Sequence, residues 1–187
     1  MDITKTLYAT NRKEWREWLK RNFDRERELW LIYPNKSSGR QCIPYNDAVE
    51  EALCFGWIDS TVKKLDENRS AQRFSPRNPK SRFSQPNKER LAWLLKKNMI
   101  HPTVLDTARR VTKEKFVFPQ DIINAIRRDK AAWENYQKFT TSYKRIRIAY
   151  IDAVRKRPEE FKKRLKNFIE KTRKNKQIGA RGIEKYY

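Results

Sequence analysis

The sequence predicts an α+β protein, with a small antiparallel sheet packed with helices followed by a mostly helical C-terminal half. Three observations predict it. Leu29-Trp30-Leu31-Ile32-Tyr33 is a short, continuous apolar run stopped by Pro34, as a central strand requires. Further short β-rich runs follow it, at Gln41 to Ile43, Trp57-Ile58, Thr61 to Leu65 and Ala71 to Phe74. Beyond Pro86 the apolar residues recur instead at helix spacing.

Taken in order, Asn11 and Glu14 form a capping-box pattern. Trp15, Trp18 and Leu19 follow at i, i+3 and i+4, so residues 12–22 read as an amphipathic helix. The strand of Leu29 to Tyr33 comes next, then a turn over Asn35 to Gly39. Asn46 caps a helix over 47–55, which Gly56 ends in the left-handed conformation. In the run Thr61 to Leu65, Val62 and Leu65 are separated by lysines, an alternation that reads as strand. From Ser75 to Pro86, three prolines (Pro76, Pro79 and Pro86) remove backbone donors and predict an ordered or extended loop.

Pro86 suits the first turn of a helix with the stripe Leu91, Leu94 and Leu95, stopped at Asn98. His101-Pro102 opens another, to about Thr112. Ile122, Ile123 and Ile126 define a short helix, and Trp133 and Tyr136 the next. Ser142 caps a long helix with Ile146, Ala149, Tyr150 and Ala153 on one face. Pro158-Glu159-Glu160 starts the last, with Pro in the first turn and acids near the positive end of the dipole. Its stripe is Phe161, Leu165, Phe168 and Ile169, and Pro158 breaks it from the preceding helix. The boundary falls near 85: a helix-and-sheet layer over 1–85 and a helical extension over 86–187, read as parts of one domain. Trp57, Leu31 and Leu53 are expected to be buried together.

The chain has 187 residues, enough to bury a core without staples, and its 23 aromatic residues supply large buried areas. Its net charge of +22 is unevenly placed. Residues 1–60 carry 10 Lys/Arg against 10 Asp/Glu, residues 61–115 carry 15 against 5, and residues 116–187 carry 20 against 8. Such a balance fits either a solvated, self-repelling surface or attraction to a polyanion. Cys42 and Cys54 lie 12 apart with no CxxC spacing, and His101 is the only histidine. Neither a metal set nor a triad can be assembled from them. The start of the chain lacks an apolar run of signal-peptide type, and no apolar stretch approaches a membrane span, so the cytoplasm is the expected compartment. With 4 glycines and no GxGxxG, Walker A or HExxH pattern, no cofactor is expected.

The densest chemistry lies between Tyr45 and Arg90. Within it, from Arg69 to Arg90, the cations Arg69, Arg73, Arg77, Lys80, Arg82, Lys88 and Arg90 stand against Glu89 alone. Arg73 and Arg77 flank Phe74, and Arg82 precedes Phe83. Cations interleaved with aromatics suit a phosphate backbone with stacked bases. The anion-binding candidates are Arg69, Arg73, Arg77, Lys80, Arg82 and Lys88, and the stacking candidates are Phe74 and Phe83. The competing reading turns both rings into the core and pairs the arginines with Asp59, Asp66 or Glu67. Those three acids have no nucleophile beside them, so no catalytic residue is assigned.

Three blocks carry a resemblance: AVEEALCFGWIDS at Ala48 to Ser60, RFSPRNPKSRFS at Arg73 to Ser84, and PNKERL at Pro86 to Leu91. In this order they resemble the YdeI/OmpD-associated family, also called bacteriocin-protection proteins. The similarity continues more weakly through SYKRIRIAYIDAVRKR at Ser142 to Arg157. It implies a two-layer α+β fold of the YjbR/CyaY-like superfamily. Phe83 stands where members of the family often carry Trp. The family brings no established activity. The sequence is therefore read as a basic, non-enzymatic binding protein for an anionic partner such as nucleic acid. The alternative is a stress- or bacteriocin-protective adaptor that binds another protein or an anionic envelope component.

Overall fold

A computed structural model describes residues 3–179 and 182–187, and all but the side chain of Lys36 among them. The described residues form two compact units, residues 3–83 with 90–112, and residues 84–89 with 113–179 and 182–187.

The first unit is the α+β part. Its sheet has four strands in the order β1-β2-β4-β3: β1 (Thr6–Leu7), β2 (Leu29–Pro34), β3 (Trp57–Lys64) and β4 (Arg69–Pro76). The predicted strands at 57–58 and 61–65 are one strand, and β4 is longer than expected at both ends. The pairing is antiparallel except for β1, which runs parallel to β2 with Thr6 opposite Trp30. Gln41 to Ile43 is not a strand. The flanks of β2 are already taken by β1 and β4, and the Ile43 amide bonds instead to the Ala9 carbonyl at 2.9 Å.

Helix α1 (Arg12–Asn22) starts as predicted. The Asn11 side chain accepts from the Glu14 amide at 3.1 Å, and the Glu14 carboxylate accepts from the Thr10 amide at 2.8 Å. Helix α2 (Tyr45–Cys54) starts two residues earlier than expected, with Pro44 and not Asn46 at its cap. The fixed φ of Pro44 sets the entry, and the Asn46 side chain accepts from the Arg90 guanidinium at 2.6 Å. Gly56 does adopt the left-handed conformation, with φ of +74°. Helix α3 (Gln85–Lys96) has Pro86 in its first turn. A 3₁₀ turn at Pro102–Val104 then leads into α4 (Leu105–Lys113). His101 caps that turn, its Nδ1 accepting from the Thr103 amide.

The core of this unit joins α1, α2 and one face of the sheet. Trp57, Leu31 and Leu53 are all buried in it, as expected. Aromatic rings link the layers: Trp15 lies 5.3 Å from Trp18 and 5.4 Å from Phe74, and Trp18 meets the edge of Trp57 at 5.6 Å. The indoles of Trp15 and Trp57 find carbonyls, at Ala48 and Phe23, both at 3.0 Å, and the buried Trp30 donates to the Glu28 carboxylate at 3.3 Å. Glu50 and Glu51 are also inside. Arg12 reaches both, at 2.8 Å from Glu50 and 2.6 Å from Glu51, and Arg16 reaches Glu51 at 2.6 Å.

The second unit holds α5 (Gln120–Arg127), α6 (Lys130–Lys138), α7 (Thr141–Asp152) and α8 (Pro158–Arg173). Ile122, Ile126, Tyr143, Ile148 and Phe168 are central to a core of its own. Thr140, not Ser142, caps α7, accepting from the Tyr143 amide. The buried face of α7 carries Tyr143, Ile146, Arg147, Ile148 and Ile151, while Tyr150 and Ala153 of the predicted face are exposed. The break at Pro158 is present. Helix α7 stops at Asp152, turns follow, and α8 begins at Pro158.

Removing Arg12 leaves two buried carboxylates short of their shared cation. Arg12→Ala is expected to lower stability by about 3 kcal/mol, the low end for breaking a buried ion pair, because Arg12 keeps some solvent exposure. Urea denaturation monitored by tryptophan fluorescence reads it, and an Arg12→Lys chain should fall between the two.

Candidate anion-binding site

Strand alternation decides where the cations of the first unit go. Arg73 and Phe74 are neighbours on β4, so they face opposite sides of the sheet. Phe74 enters the core and is fully buried against Trp15. It is therefore closed to a stacking base, which corrects that expectation. Arg73 lies on the other side, where its Nε donates to Glu28 at 2.6 Å. A bulge between Asp59 and Val62 sets Ser60 and Thr61 against Arg73, and the Arg73 guanidinium lies 3.3 Å from the Ser60 hydroxyl.

The remaining candidates divide by partner. Arg69 pairs with Asp66 at the tip of the β3–β4 hairpin, its Nε 2.7 Å from the carboxylate. Lys88 counts with the second unit and pairs there with Glu114 at 2.5 Å. Asp59 takes no arginine. It accepts from the Tyr45 hydroxyl at 2.5 Å. Burial, then Asp59, pushes the Tyr45 phenol well above its ordinary range. Glu67 gives only its carbonyl, to the side chain of Asn35 at 2.6 Å.

Arg77 organises the loop that follows β4. Its amide is held by the Gly56 carbonyl at 2.9 Å, and its guanidinium donates to the carbonyls of Ser81 at 2.8 Å and Arg82 at 2.5 Å. The same guanidinium lies over the Phe83 ring, 3.7 Å from its centre. Its Nε is buried without a partner, and burial pulls its pKa down because no carboxylate offsets the lost hydration. Asn78 completes the turn, accepting from the Lys80 amide at 2.9 Å. Phe83 is half-buried beneath Arg77 and packs on the core of the unit.

Beside this loop lies a pocket of about 230 Å³. Leu53, Leu91 and Val104 are among its apolar walls, and Arg77, Thr107 and Arg110 bring polar groups. Thr103, Thr107 and Arg110 recur at helix spacing along the 3₁₀ turn and α4, a pattern visible in the sequence that was not read as a site. Lys80, Arg82 and Arg110 are exposed and form no ion pair among the described residues. The first unit thus offers a stiff loop and a helix face that together carry four cations, none of them matched to a carboxylate.

Groups suited to other chemistry are lacking in their partners. Burial pushes the Cys54 thiol up to about 12, which keeps it protonated and unreactive. Among the described residues no group of three His, Cys, Asp or Glu side chains is placed to hold a metal. No helix among them is long and apolar enough to cross a membrane.

These features define an α+β sheet-and-helix unit with a cationic loop, joined in sequence to a basic helical region. Residues 7–107 match the sequence profile of a family described as a domain of unknown function, DUF8412, and the chain belongs to that family. Residues 115–175 match the profile described as "Bacteriocin-protection, YdeI or OmpD-Associated". The resemblance to the YdeI/OmpD-associated proteins therefore holds for the helical region, whereas the three blocks between Ala48 and Leu91 lie in the other family's match. Neither match extends to the YjbR/CyaY-like superfamily. No curated protein and no solved structure matches the chain.

Hydrogen bonds from Thr4 and Arg73 hold the Glu28 carboxyl below its ordinary value of 4.5. A carboxyl depressed in the folded state adds stability above its unfolded pKa and loses it as pH falls through the folded one. Glu28→Gln should therefore melt below the parent at pH 7, and the gap should narrow as the pH falls below the ordinary value of 4.5. Thermal melts on either side of that value check the sign.

Proposed function

We propose that the protein is a non-enzymatic, cytoplasmic binding protein for an anionic partner, with nucleic acid as the partner class. The observation that carries this reading is the loop after β4. Arg77 ties the loop to itself from within, and Lys80 and Arg82 project from it without a carboxylate partner. A loop ordered before binding loses less entropy when it meets a partner. Arg110 adds a third unpaired cation beside the same pocket.

Contact through these groups is contact with phosphates. Phe74 is inside the core and one face of Phe83 lies under Arg77, so neither ring serves as an open platform for bases. Binding is then largely independent of sequence, because phosphate contacts carry no base information. The excess charge of the whole chain adds long-range attraction that salt screens. A second reading, a protective adaptor for a protein or an anionic envelope component, draws on the bacteriocin-protection family whose profile residues 115–175 match.

Fluorescence anisotropy with a labelled DNA duplex, repeated across salt concentrations, tests the first reading. The log–log slope should be near −0.9 for each phosphate neutralised. Changing Lys80 and Arg82 together to Ala should reduce the slope by about two, with the melting temperature unchanged. Arg77 is left intact in this test because it holds the loop. A slope that does not change, in a chain that still folds, would remove the loop from the interface.

A further inference from the structure

We propose that the second unit contains a separate ligand pocket for a small organic anion with an apolar body, with Arg147 holding the anionic head. Arg147 sits on the buried face of α7 and is only 6% exposed. Through Nη2 it donates to the Ile178 carbonyl and the Tyr187 hydroxyl, both uncharged. Its Nε is buried with no partner, and Arg147 forms no ion pair with any described carboxylate. The buried carboxylates of the chain are treated differently: Glu50, Glu51 and Glu89 each face an arginine within 3 Å. A cation withdrawn from water without a counter-charge is costly, and an anion arriving beside it recovers that cost.

The space for such an anion adjoins it. Arg147 lines a pocket of about 570 Å³, within the usual range for small-molecule sites. Ile146, Ile151, Phe168 and Ile183 give it apolar walls. Lys163, Arg164 and Asn167 bring polar groups, and Glu160 is the one carboxylate of the lining among the described residues. Arg164 already satisfies Glu160 at 2.8 Å, and its guanidinium lies over the Tyr150 ring, 3.8 Å from the centre. That leaves Arg147 and Lys163 as two cations without an ion pair among the described residues. An apolar wall with two cations selects an amphiphile whose head is a carboxylate or a phosphate monoester. The polyanion of the preceding section uses Lys80, Arg82 and Arg110 of the first unit, so the two sites can be tested apart.

Isothermal titration calorimetry with octanoate and with octyl phosphate tests the proposal on the whole chain. One molecule should bind per chain. Octanol, which lacks the charge, and inorganic phosphate, which lacks the apolar body, should each bind at least about tenfold more weakly. The stronger of the two octyl ligands names the head group. Lys163 and Asn167 are exposed, so Lys163→Glu and Asn167→Phe should fold normally and each weaken octanoate or octyl phosphate at least about tenfold. Arg147→Lys, which keeps the charge and loses the planar fork, should weaken it as well. The Lys80/Arg82 double variant should bind both octyl ligands like the parent. Octanol binding as tightly as octanoate, or unchanged affinity in a folded Lys163→Glu chain, would overturn the proposal, as would several weak equivalents per chain.

Discussion

Glu50 and Glu51 stand side by side on α2, withdrawn from water, and both need a cation from elsewhere in the chain. Arg12 and Arg16, one turn apart on α1, supply it. Because the carboxylates cannot move and the guanidiniums are planar forks, this contact leaves α1 and α2 little freedom to slide. Trp15, between the two arginines in sequence, is thereby brought to the Ala48 carbonyl on α2 and to Phe74 on the sheet. Trp18 follows it onto Trp57. Arg16 extends the network to the Met99 carbonyl at 2.8 Å and so ties down the segment that precedes α4.

The same demand for counter-charges shapes the rest of the surface. The chain has 23 acidic residues for 45 basic ones, and many of the acids already have structural duties. Asp129 caps α6 and also receives Arg173 at 2.6 Å. Asp121 and Asp152 share Arg155. Glu89 accepts from Arg145 through both oxygens, at 2.7 and 2.9 Å. Cations outside such pairs fall mainly after residue 60, and some of them, such as Arg77 and Arg147, turn to carbonyls or uncharged side chains instead. The neutral first third is the part in which the tryptophans and the buried ion pairs assemble the sheet-and-helix core.

Local signals were the legible ones. The capping box at Asn11 and Glu14, the left-handed Gly56, and proline in the first turns of α3 and α8 each depend on neighbouring residues and stand where the sequence placed them. Beyond the shared burial of Leu31, Leu53 and Trp57, features that depend on distant partners were the ones misplaced. Asn46 reads as a cap, but Arg90, 44 positions away, takes its oxygen. The apolar residues of α7 draw its face through Tyr150 and Ala153, whereas the buried side carries Arg147 and Ile151, a charge that apolar periodicity passes over. The bulge opposite Arg73 left no trace in the sequence. In the candidate site, the alternation of Arg73 and Phe74 looked like a binding surface and is the ordinary two-sidedness of a strand. Arg77 was correctly picked out as a loop residue. Its place beside Arg110 needed the fold, since 33 residues separate them.

The two edges of the sheet are unequal, and neither is inviting. Strand β1 offers only two residues, too few to template another chain. Strand β3 is longer, but its ladder is broken by the bulge and it ends in Lys63 and Lys64. A second copy approaching this edge would meet an interrupted row of hydrogen-bonding groups and a like charge. Two copies brought close together therefore find no ready sheet edge along which to extend into a fibre.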